Sequence, residues 1–120
     1  MTDLTPAFVE ALVHRLFGPA DRDAATAALE RYGDRPHERE PVRVRVAALK
    51  LSQGDLGRLR EALDRAARDY RDVLAWAEYP EELERPTWRL PAEEVDGIRS
   101  RDRAQYRAWL AANGWEPGRP

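Results

Sequence analysis

The chain has 120 residues, 20 Lys+Arg against 22 Asp+Glu for a net charge of −2, and no cysteine. That length bounds it to one domain with a modest core, and the missing thiols exclude disulfides, thiolate catalysis and cysteine-based zinc sites. With 42% hydrophobic and 35% charged residues the composition is that of a globular chain; no apolar run approaches a membrane span, and no basic-then-apolar leader is read at its start.

The first predicted helix covers Thr5–Phe17. Thr5 suits the N-cap and Pro6 the first helical position, and Phe8, Leu12 and Leu16 recur at helical spacing before Gly18-Pro19 stops it. A second covers Asp21–Tyr32, capped by Asp21 or Asp23 and ended by Gly33; its alanines leave room for close helix packing. A polar connector, Asp34–Glu40, leads to Pro41. Val42-Arg43-Val44-Arg45-Val46 alternates like a strand. The continuation through Leu51 breaks the alternation, and a lone strand has no partner for its backbone, so a helix is expected over Val42–Leu51.

Asp55–Tyr79 is the longest periodic stretch, capped by Asp55, with Asp69 and Asp72 resembling a restart that would kink it near Arg68–Tyr70. Glu81–Leu90, set among Pro80, Pro86 and Pro91, reads as an irregular loop that inserts Trp88 into the bundle. Pro91–Asn113 is helical again, with Val95, Ile98, Gln105, Tyr106, Trp109 and Leu110 inside and Gly114 as the terminating residue. Its polar middle, Arg99–Arg103, is expected to project past the core or to break near Ser100. The fold class is therefore all-α: a compact bundle of five to six short helices forming a single domain over residues 1–114, with a frayed tail over 115–120.

The chemistry-bearing residues are sparse. His14 lies beside Val13 and Leu16 and reads as a partly buried helix histidine, His37 as an exposed connector residue; neither belongs to an H-x-x-x-H pair, so no metal site is expected. Ser52 and Ser100 sit in no nucleophile elbow, and no glycine loop cradles phosphate. Catalytic and cofactor-binding residues are accordingly read as none, and the protein as not an enzyme. Arg99, Arg101, Arg103 and Arg107, followed by Tyr106 and Trp109, form a candidate phosphate-tracking cluster. All basic residues but Lys50 are arginine, which fits a GC-rich genome better than selection for bidentate recognition. Four tryptophans and four tyrosines are many for so small a core; Tyr70, Arg71, Trp76, Tyr79 and Trp88 form a candidate interface.

Arg43-Val44 through Gly54-Asp55-Leu56, followed by Asp69-Tyr70-Arg71-Asp72-Val73-Leu74, resembles a group of small bacterial helical proteins. These share an "RV..A.LKL..GDL" helix pair and a "DYRDVL" segment. The resemblance continues through Ala75-Trp76-Ala77-Glu78 and spans about 35 residues, from Arg43 to Glu78. It implies a helix rather than a strand at Val42–Leu51, and no assigned activity. It also marks Lys50, Asp69, Arg71 and Asp72 as more than surface decoration, the simplest role being a cap and an Arg–Asp pairing at a helix junction. The leading expectation is a cytoplasmic, non-enzymatic module that binds an unknown protein partner or its own copy, without cofactor and without membrane. Weak nucleic-acid binding through Arg99–Arg107 ranks second.

Overall fold

The computed structural model describes residues 4–116. Among these the chain forms seven α-helices and no strand: α1 Pro6–Leu16, α2 Pro19–Arg31, α3 Pro41–Ser52, α4 Leu56–Arg68, α5 Tyr70–Glu78, α6 Pro80–Glu84 and α7 Ala92–Ala112, with a 3-10 turn at Thr87–Arg89 before α7. The all-α bundle is as the sequence implies. The count exceeds five to six because the 55–79 stretch divides and because α6 forms inside the expected loop. No described helix is long and apolar enough to cross a membrane.

The α3 helix is the hub, packed on α1, α4 and α5. Val44, Val46, Ala47, Ala48, Leu49 and Ser52 are all buried, so three of its sides face protein. This accounts for the strand-like alternation of Val42–Val46: a helix enclosed on several sides needs apolar residues around most of its circumference. Its two arginines leave the core along their length. Arg43 reaches Glu78 on α5, and Arg45 donates to the carbonyls of Leu29 and Tyr32 at the end of α2 (2.9 and 2.7 Å). At the C-terminal end of α3, Gly54 has a φ of +79°, and a Cβ there would lie 2.7 Å from the Leu16 carbonyl oxygen. Only glycine tolerates both the left-handed backbone and that approach of α1.

Capping chemistry sets the other boundaries. Thr5 accepts from the Phe8 amide and Asp55 from the Arg58 amide, as their types predict. Asp69 ends α4 and caps α5 through the Arg71 amide, while Arg65 crosses the junction to Asp72 (2.8 and 2.6 Å). The helix pair is thus divided by a carboxylate cap and braced by an Arg–Asp pair. The start of α2 differs from expectation. It begins at Pro19 after Gly18 with no side-chain cap, leaving Asp21 in the first turn against the helix dipole. His14 also differs: it is exposed, outside the buried Val9–Leu12–Val13 face. His37 is exposed as expected, and its Nε2–H donates to the Ala67 carbonyl (3.1 Å), tying the connector to α4.

The α7 helix runs without a break. Its polar middle is not wholly exposed: Ile98 and Asp102 are buried in line with Tyr106 and Leu110, covered by α6 rather than joined to the main core. Gly114 ends it at a φ of +92°, with the Trp115 amide bonded to the Leu110 carbonyl (2.9 Å). This Schellman closure turns Trp115 back onto the core, so the expected tail begins packed. Residues 117–120 of that tail lie outside the described residues.

Candidate functional site

Two regions carry unsatisfied or unexplained side chains, and they adjoin at Tyr79. The first is the segment from α5 through the 3-10 turn. The large apolar side chains left exposed among the described residues are Trp76, Tyr79, Leu83 and Trp88, all within this segment. Trp88 is 77% exposed. The expectation that it inserts into the bundle is therefore corrected: Pro86 and the 3-10 turn carry it outward, where the Arg89 guanidinium lies 4.4 Å from its ring centre. Trp76 is partly covered by Arg65 at 5.8 Å. Of the other two candidate interface residues, Tyr70 packs half-buried against the core. Arg71 is exposed and tied to Asp69, a pairing that holds the Asp69 carboxyl below the usual carboxylate range.

Asp102 holds this segment in place. Its carboxylate, 1% exposed as a residue, accepts from the amides of Glu81 and Glu82, both at 3.0 Å. These are two of the unpaired N–H groups that open α6; Pro80 has none, and Leu83 bonds to the Tyr79 carbonyl. A five-residue helix cannot hold itself together, so a buried carboxylate on α7 supplies its cap. Lys50 stands near enough to Asp102 for that charge to favour its protonated form, while burial pushes its pKa down more strongly. The reading of Arg99–Arg103 as a wholly polar face misses Asp102. The signal was available in the spacing: Ile98, Asp102, Tyr106 and Leu110 repeat every four residues, which puts the acid on the inner stripe.

The candidate phosphate cluster is divided by the same geometry. Arg99 pairs with Glu82 (3.0 Å) and Arg101 with Glu81 (2.6 Å), both across to α6. The Arg101 guanidinium holds the Glu81 carboxyl below its usual range. Arg103 bonds only the Ser100 hydroxyl (3.3 Å), and Arg107 forms no ion pair with a described residue. These two line the second region, a cleft of about 500 Å³ between the start of α3, the end of α5, and α7.

The cleft floor carries a bidentate ion pair, Arg43 to Glu78 at 2.9 and 2.6 Å. Glu78 is buried, and this pairing raises the Arg43 pKa further above its already high value. Tyr106, 9% exposed, and Trp115 also line it; their Tyr106 Oη and Trp115 Nε1 are buried without a hydrogen-bond partner among the described residues. Burial pushes the Tyr106 hydroxyl pKa up, with Glu78 adding to the effect. Among the described residues no group of three or more His, Asp or Glu side chains is placed to hold a metal ion. Compared with protein-family models, curated proteins and solved structures, the chain matches none.

Proposed function

We propose that the chain is a non-enzymatic interaction module whose docking surface is the α5–α6–3-10 segment. The observation that carries this reading is the confinement of Trp76, Tyr79, Leu83 and Trp88, the exposed large apolar residues among those described, to thirteen consecutive positions. Tryptophan and tyrosine exposed together are the side chains that dominate binding energy in protein interfaces. The occupant is a protein segment with a basic, apolar face. Between Trp76 and Asp96, Glu78, Glu81, Glu82 and Glu94 are held by Arg43, Arg101, Arg99 and Arg85, which leaves Glu84, Glu93 and Asp96 without an ion pair among the described residues, against Arg89. Such a bias steers a positively charged partner. The bacterial cytoplasm remains the proposed location, on composition and on the sequence resemblance. Nucleic acid ranks lower, since Arg99 and Arg101 are held by α6 carboxylates.

The test pairs wild type with Trp88→Ala. So exposed a side chain contributes little to folding, and the substitution should leave stability within about 0.5 kcal/mol. Tagged protein is used to capture partners from nuclease-treated host lysate, and purified protein is run by sedimentation velocity. The expected result is a stoichiometric protein retained by wild type and lost with Trp88→Ala. Capture indifferent to Trp88 refutes the surface. Self-association abolished by Trp88→Ala replaces the foreign partner with a second copy, and nuclease-sensitive capture moves the reading to nucleic acid.

A further inference from the structure

We propose that the cleft between α3, α5 and α7 is a binding site for a small organic anion, a carboxylate or phosphate carried on an apolar or aromatic body. This site is separate from the docking surface and stands or falls independently of it. Three observations converge on it. The first turn of α3 lines the cleft, and α3 has no side-chain cap. The amides of Val42 and Arg43 accordingly bond no described group, and they lie at the positive end of a twelve-residue helix.

Second, the cap residue itself is unusual. Glu40 adopts a left-handed backbone, φ 53° and ψ 51°, immediately before Pro41. A non-glycine residue is strained in that conformation. That conformation leaves the Glu40 side chain without a capping bond, so the helix end stays open. Third, the unpartnered polar atoms of the cleft wall are donors. Trp115 Nε1 can only donate, the Tyr106 hydroxyl has a proton to give, and Arg103 and Arg107 stand at the rim without a carboxylate partner among the described residues. The cleft's own acids leave this surplus in place. Glu78 is bound on both oxygens by Arg43, and Glu40 is one charge against two guanidiniums.

The remaining wall is apolar or aromatic: Leu4, Val42, Tyr79, Leu110 and the Tyr106 ring, which stacks on Trp109. A volume of about 500 Å³ suits a molecule of one or two rings. An acidic head set against the α3 amides and Arg103/Arg107, with its ring against Tyr106 and Trp115, uses each of these groups. A bare inorganic ion leaves the aromatic wall unused.

The test is titration of the ¹⁵N-labelled full chain with phenyl phosphate and with phenylacetate, followed by amide and indole resonances. Phenylacetamide is the neutral control, and inorganic phosphate reports the head group alone. Saturable shifts at Val42, Arg43 and the Trp115 indole are expected from one or both aryl anions. Arg103→Ala/Arg107→Ala, both exposed and outside the core, should weaken that binding at least tenfold, about 1.4 kcal/mol. A response to phosphate identifies a phosphoryl head, and a response to phenylacetate a carboxylate. No shift up to about 10 mM, far weaker than a millimolar site, overturns the proposal. So does an equal response to phenylacetamide, or affinity unchanged in the double variant.

Discussion

Asp102→Asn is the sharpest perturbation of this fold. Its carboxylate makes two hydrogen bonds to the opening amides of α6. Bonds to a charged acceptor contribute about 1.5–3 kcal/mol each. Asparagine keeps one acceptor oxygen and turns its NH₂ toward the other amide, so one bond is lost and a donor faces a donor. Against this stands relief from burying a charge at a residue only 1% exposed. The expected net loss is about 2–3 kcal/mol, from one charge-assisted bond plus the unpaired amide, less that relief. At about 4 °C per kcal/mol for a chain of this size, the melting midpoint falls by roughly 8–12 °C.

The loss can also appear locally. The α6 helix contacts α5 and α7 and no other element strongly, so it can detach while the α1–α5 core stays folded. Native-state hydrogen exchange separates the two cases. Amides of Glu81, Glu82 and Leu83 should exchange much faster in Asp102→Asn, whereas those of Ala47 and Leu49 should follow only the global stability. An Asp102→Asn variant within 0.5 kcal/mol of wild type, with unchanged exchange at Glu81 and Glu82, would refute the view that a buried carboxylate holds α6.

Two further outcomes follow from the ion pairs. Arg43→Ala should cost about 2–3 kcal/mol in chemical denaturation. This is below the range for a fully buried pair because the Arg43 side chain is 40% exposed, although Glu78 is left buried and alone; the double variant Arg43→Met/Glu78→Met should recover most of the loss. Arg101→Ala should lower stability only where Glu81 is ionised. The Glu81 pKa is lowered in the folded state, so its contribution is complete above the ordinary value of 4.5 and is lost as pH falls through the lowered one. Denaturation of both proteins across the acid range should show a constant gap at higher pH that closes on acidification; a gap that persists or widens contradicts the pairing.

Helix ends are the most legible feature of this chain, because a cap is decided within three residues. Thr5, Asp55 and Asp69 each accept the amide their position predicts. The start of α2 is less legible, since Pro19 and Asp21 both suit a first turn and only the folded chain decides between them. Trp88 is misread for a different reason. The flanking prolines restrict the backbone but do not decide which way a side chain points, and the 3-10 turn after Pro86 carries the Trp88 ring outside. The cleft was not legible at all. Arg43, Glu78, Tyr106 and Trp115 are scattered over 73 positions of the chain and meet only through the placement of α3 beside α5 and α7. Of the candidate site residues, Tyr79, Arg103 and Arg107 reach it, while Arg99 and Arg101 are drawn to α6.

The near-total use of arginine also acquires a physical role that base composition alone does not supply. The carbonyls ending a helix lack intrahelical donors. Here arginines from the following helix satisfy them in pairs. Arg22 of α2 donates to His14 and Phe17 at the end of α1, both at 3.1 Å, and Arg45 of α3 donates to Leu29 and Tyr32 at the end of α2. In each case one planar guanidinium bridges two carbonyls and sets a positive charge against the negative end of a helix dipole. A lysine ammonium carries the charge but lacks the fixed fork, so it would hold one carbonyl and leave the relative angle of the helices less defined. Genome composition can supply the arginines, but the short α1–α2 connection and the α3 packing decide which of them brace helix ends. Arginines such as Arg31, Arg60 and Arg68 are held by no helix end or carboxylate among the described residues; Arg103 and Arg107 share that freedom but differ in lining the cleft.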